Sequence, residues 1–185
     1  MLKTKTSAST RGRIFLLLLF CAPLSALAQG QTMTPQTVEA RLRAIEDRVA
    51  LKELVDTFSI LADKKDVKAQ TQLFTPDATL ETYRKDVFVS RLSGRQAMEA
   101  AFGAYLQQFE TVYHFNGQQT LALDGDTASG VSYCQVTLIG EENGIMMKTS
   151  IGVIYHDEYV RENHRWLIAK RISNFDWQDK RELAR

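Results

Sequence analysis

His114 stands in the run Tyr113-His114-Phe115-Asn116, where strand alternation puts His114, Asn116 and Gln118 on one side and Tyr113 and Phe115 on the other. An imidazole with an ordinary pKa near ~6.5 is half available as a proton acceptor around neutral pH. A carboxylate on Nδ1 would fix its tautomer and stabilise the imidazolium formed as a proton arrives. Such a base typically contributes ~10² to 10⁴ in rate. Asp63 falls where a long helix must end, and the negative pole of the helix dipole disfavours its charge unless a donor answers it. His114 would be a fitting answer. Read plainly, Asp63 is a solvated carboxylate beside Lys64 and Lys65, and His114 a satisfied sheet histidine. The residues alone leave both readings open.

Each of the other candidates has a structural rival. Tyr83, Tyr133 and Tyr155 could donate a phenolic hydrogen bond to a substrate oxygen, yet buried tyrosines more often serve packing. Arg171 could bind an anionic group, but a cross-strand ion pair with Asp157 is the preferred reading. Glu81 could act as an alternative base or be an ordinary exposed strand glutamate. Trp166 and Trp177 read as core and rim aromatics. His156 and His164 have no metal-ligand spacing to His114, and no paired cysteines exist, so no metal is expected. Phosphate-loop, nucleophile-elbow and dinucleotide signatures are missing, so any chemistry is expected to run without a cofactor.

The elements that must position these groups begin after a leader. Residues 1–28 carry Lys3, Lys5, Arg11 and Arg13, then an apolar run from Ile14 too short for a membrane span, closing on Ala26-Leu27-Ala28. That is the layout of a secretory signal cut after Ala28, and it implies a periplasmic or secreted protein. With those four residues gone, the 23 basic side chains fall to 19 against 22 acidic ones, a net charge near −3. A mildly acidic chain offers no basic stripe for nucleic acid and no attraction to a membrane surface. Cys21 leaves with the leader, and the lone Cys134 can make no internal disulfide.

Residues 29–36 read as a polar lead-in, 37–180 as one domain and 181–185 as a tail. From Thr37, Leu42, Ile45, Val49, Leu54, Phe58 and Leu61 recur at helical spacing and predict a long amphipathic helix ending near Asp63 to Asp66. A short helix through Val67 to Phe74 follows, broken by Pro76-Asp77. Strands are expected at Ala78 to Tyr83 and Val87 to Leu92, and a third helix at Arg95 to Gln108. Four longer strands follow: Thr111 to Leu123, Thr127 to Ile139, Ile145 to Val160 and Arg165 to Trp177. Short turn-forming separators make them antiparallel. This order describes an α+β domain, a curved, mostly antiparallel sheet forming a cone around the long N-terminal helix, with two further helices.

Several pieces, in order, carry a resemblance: Asp63 at a helix end, Leu73-Phe74-Thr75-Pro76-Asp77-Ala78, Gly94-Arg95, His114 with Asn116, and Asp124-Gly125-Asp126-Thr127-Ala128. Gly152, Tyr155, Asp157, Tyr159 and Arg161 follow, then Trp166, Ile168 and Arg171. Across about Glu46 to Trp177 the chain resembles a SnoaL-like member of the nuclear-transport-factor-2-like superfamily. It is most similar to the branch containing scytalone dehydratase and hexachlorocyclohexane dehydrochlorinase. The resemblance implies a general base, His114, held by Asp63, acting on a small hydrophobic molecule and expelling a leaving group. It also implies a homo-oligomer paired through the sheets. One departure stands out: relatives often carry the motif asparagine three or four residues after the histidine, where this chain has Gly117 and Gln118.

The expected function is therefore an exported lyase or isomerase, dehydratase-like or cyclase-like. The competing expectation is a small-ligand-binding or interaction domain of the same fold, in which His114 and Asp63 lie beyond hydrogen-bond reach or the pocket is filled by side chains.

Overall fold

A computed structural model describes residues 37–183. The proposed leader and lead-in lie outside the described residues.

Helix α1, Val38–Asp63, starts at Thr37, whose hydroxyl accepts the Ala40 N–H at 3.2 Å. Its packed stripe is Leu51, Leu54, Val55, Phe58 and Ala62. Leu42, Ile45 and Val49, expected in that stripe, are more than half exposed. The first turns thus carry a second apolar line that meets no sheet, while Asp47 turns inward to Trp166 and Arg161. Helix α2, Val67–Thr71, is capped by Asp66. It ends three residues earlier than expected, because Phe74 already pairs with Ile168 in strand β1, Phe74–Arg84. Pro76 and Asp77 therefore lie within β1, in the irregular stretch between Phe74 and Thr79, where a missing N–H costs no ladder bond.

Strand β2, Val87–Ser93, and helix α3, Arg95–Leu106, follow. Then come β3 (Thr111–Asp124), β4 (Thr127–Glu142), β5 (Ile145–Glu162) and β6 (Arg165–Glu182). The last strand reaches into residues expected as a tail. The hairpins turn on two residues: Asn143-Gly144 and Asn163-His164 both have positive φ, the geometry that matches strand twist.

The six strands lie in the order β2-β1-β6-β5-β4-β3, antiparallel except where β1 runs parallel to β6. Helices α1 and α3 pack on the sheet, and α2 packs on both of them. One core cluster joins α1 to Phe74, Leu80, Met98, Tyr159, Trp166 and Ile168. A second joins Ala62 and Leu106 to Val112, Cys134, Val136, Ile151, Val153 and Tyr155.

Candidate functional site

The site forms where the last turn of α1 meets the edge strand β3. An edge strand has N–H groups that no neighbour accepts, and Asp63 answers one of them: its Oδ1 accepts the His114 backbone N–H at 3.0 Å. The same oxygen lies 2.7 Å from His114 Nδ1. Two donors from one residue offset the unfavourable helix dipole at this carboxylate. Residue by residue, the side chains are 8% exposed for His114 and 26% for Asp63. With Nδ1 committed to Asp63, Nε2 is the ring nitrogen available to the cavity that His114 lines.

Asp56 and Ser59 share the α1 face of Asp63, spaced at three and four residues. Both hold Asn116: Ser59 Oγ donates to Asn116 Oδ1 at 3.1 Å, and Asn116 Nδ2 donates to Asp56 Oδ1 at 2.9 Å. Lys52 in turn pairs with Asp56. Asn116, expected to bind substrate, is instead occupied in fastening β3 to the helix beside His114. The next two residues, Gly117 and Gln118, form a bulge, since pairing with β4 jumps from Asn116 to Gln119. Gln118 consequently does not share the His114 face.

The cavity measures about 300 Å³. Its floor is Phe58, Ala62 and Tyr155, its wall Phe102 and Leu106 of α3, and its rim Arg84, Val89 and Phe175. Tyr155 is buried, and that burial holds its hydroxyl protonated well above the ordinary tyrosine range. Of the three candidate tyrosines it alone lines this space. Tyr133 projects from the opposite, convex face, and Tyr83 lies outside the lining, packed on Phe88 and donating to Glu81. The inward residues of β1 are Leu80, Thr82 and Arg84; Glu81 is paired with Arg91. Arg171 is fully buried between the Phe58 and Tyr155 rings and grips Asp157 through Nε at 2.8 Å and Nη2 at 2.7 Å. It is the cross-strand pair expected, and it supports the floor from beneath without lining the cavity.

Of the lining residues, the sequence reading named only His114 and Tyr155 as site candidates; Arg84 and Gln70 are among those it missed. Arg84 stacks near Phe175 and has no carboxylate partner among the described residues. Strand parity from Leu80 could have found it. Gln70, on α2, is 2% exposed; no periodicity is readable in a five-residue helix. No cluster of three or more potential metal ligands occurs among the described residues.

Helices enclosing the concave side of a curved six-stranded sheet, with a cavity at the open end, define the nuclear-transport-factor-2-like architecture. The SnoaL-like domain family matches residues 43–172, and the chain belongs to that family. Uncharacterized proteins of Mycobacterium tuberculosis and Mycobacterium bovis are 27% identical over 131 residues, covering 69% of this chain and 84% of theirs. Among solved structures, a nuclear-transport-factor-2-like protein with a cystatin-like fold from Novosphingobium aromaticivorans matches with a TM-score of 0.59 at 24% identity, over 78% of this chain and 91% of its own. A type 2 hexachlorocyclohexane dehydrochlorinase matches at 0.65 and 17% identity, over 78% and 93%. A protein of Novosphingobium aromaticivorans provisionally named a scytalone dehydratase matches at 0.65 and 15% identity, over the same shares. These likenesses establish the fold.

Proposed function

We propose that the protein is a lyase or isomerase of small, largely apolar molecules, with His114 as general base and Asp63 as its orienting carboxylate. One observation carries this reading: the 2.7 Å bond from Asp63 to Nδ1 beside a cavity of about 300 Å³ lined by the same imidazole. With the imidazole neutral and Asp63 ionised, Nδ1–H donates to Asp63, and Nε2 offers its lone pair to a substrate C–H. The C–H electron pair forms the new double bond while the leaving group departs with its own bonding pair. In an isomerisation, the imidazolium instead returns the proton to another carbon. Asp63 stabilises the imidazolium in either case.

The test is incubation in D2O with a panel of cyclic compounds bearing an acidic C–H next to a leaving group or double bond. Mass spectrometry then follows product and deuterium incorporation. Turnover by the wild type that His114→Ala lacks supports the reading. Binding of panel members with equal, background exchange in both proteins would leave a binding domain.

Export through the 1–28 leader remains part of this proposal, as does self-association. The convex face supports the latter: Tyr113, Phe115, Tyr133 and Trp177 are all exposed there, around a shallow groove.

A further inference from the structure

Arg84 is the one permanently ionised side chain among the described residues that line the cavity of His114. Strand β1 turns Leu80, Thr82 and Arg84 inward, and the partner of Arg84 across the parallel ladder, Phe175, lines the same rim. The guanidinium lies 5.9 Å from the centre of the Phe175 ring. The two acidic residues nearest to it along its hairpin are engaged elsewhere: Glu81 pairs with Arg91, and Asp86 accepts the Asn174 amide. On the α3 side of the opening, burial raises the Tyr105 hydroxyl and the Arg84 charge opposes that rise, which places the charge close to the mouth. One step deeper, Thr82 is level with Ser90 on β2 and Ser173 on β6, and all three hydroxyls line the cavity. A cation without a counter-charge, with hydroxyl donors behind it, is thus set at the entrance of an otherwise uncharged space.

We propose that Arg84 binds a carboxylate of the substrate at the rim, so that the cavity takes an apolar ring acid whose uncharged end lies at His114. This rests on the reading of the concave cavity as the substrate site. Register links Arg84 to Phe175, Val153, Cys134 and Asn116 in one row across five strands, and His114 is two residues from Asn116. Four strand spacings are about 19 Å along the sheet before curvature shortens them, so a ligand touching both residues lies across the cavity. One arginine answers one charge, and no second cation lines the space for a phosphate ester. A guanidinium does not give up its proton. The carboxylate is therefore a handle retained in the product, and the proton that His114 removes comes from the far end of the molecule.

Two nearly isosteric probes, 2-naphthoate and 2-naphthamide, test this by titration against wild type, Arg84→Gln, Lys85→Gln and His114→Ala. Arg84 is exposed, so its replacement leaves the core untouched. The wild type should prefer naphthoate by about tenfold, as expected for a charge-assisted bond to a rim arginine. The preference should vanish in Arg84→Gln with naphthamide affinity unchanged. It should persist in Lys85→Gln, whose charge lies outside the lining, and in His114→Ala. A preference that survives Arg84→Gln, falls equally in Lys85→Gln or vanishes in His114→Ala would overturn the assignment, because another group or the general field of the hairpin would then hold the anion. Equal affinity of the wild type for the two probes refutes the handle and leaves the cavity as a binding site; no binding of either probe removes both. The predicted preference without any turnover in the D2O screen would instead sink the lyase reading and leave the handle in a binding domain.

Discussion

His114 is defined by how completely Asp63 occupies one side of it. A single carboxylate oxygen receives both its backbone and its ring N–H, so ring orientation and strand position are set by the same bond. Asp63→Asn should lower kcat by about 10²- to 10⁴-fold with the fold retained, since an amide cannot stabilise the imidazolium. Steady-state kinetics alongside circular dichroism checks it. Cys134 is a different case. Burial pushes its thiol up to about 12 from an ordinary 9, and burial likewise raises the hydroxyls of Tyr155 and Tyr159. In the unfolded chain these groups lose protons first, so the stabilisation is intact below pH 9 and is lost as pH climbs toward 12. Urea unfolding should show stability falling by about 1.4 kcal/mol per pH unit from the thiol alone, with a shallower decline in Cys134→Ala.

Between elements, the contact that matters is α1 against β3. Asp56, Ser59 and Asp63 hold Asn116 and His114 at matching steps. Asn116→Leu should reduce kcat by about 10- to 100-fold through misplacement of the imidazole, with KM little changed. Kinetics with whichever substrate the screen yields would show it. In the sheet, Arg171→Leu strands a buried Asp157 and should cost about 3 to 5 kcal/mol, while the double change Arg171→Leu with Asp157→Leu should cost less. Denaturant titration of the three proteins distinguishes them. Most element positions were legible because Asn, Gly and Asp turns and the change from helical to strand texture mark them locally. Faces were legible only in part. The bulge after Asn116 resets parity, so Gln118 could not be sided from alternation, whereas β1 keeps its alternation through Tyr83 because the extra residue there, Val89, lies on β2. Leu42, Ile45 and Val49 follow helical period, but period cannot report that no strand among the described residues covers them. The Asp63 and His114 pairing was visible only through motif positions, since 51 residues separate them.

At the scale of the whole molecule, the two faces of the sheet do different work. The concave side closes around the cavity; the convex side exposes Phe115, Tyr133 and Trp177. Trp177 lies so close over Gly152 that an added Cβ would sit 2.0 Å from Nε1. If this face joins two copies, Gly152→Ala should eject the indole and shift the population toward monomer, measured by analytical ultracentrifugation. The parallel pairing of β1 with β6 carries one more consequence. β6 is an interior strand, yet it follows the other five in sequence, and β1 with β2 has no place in the sheet until β6 is present. The hairpin of β1 and β2, though early in sequence, must wait with one edge open for the last strand of the domain before it can join the sheet.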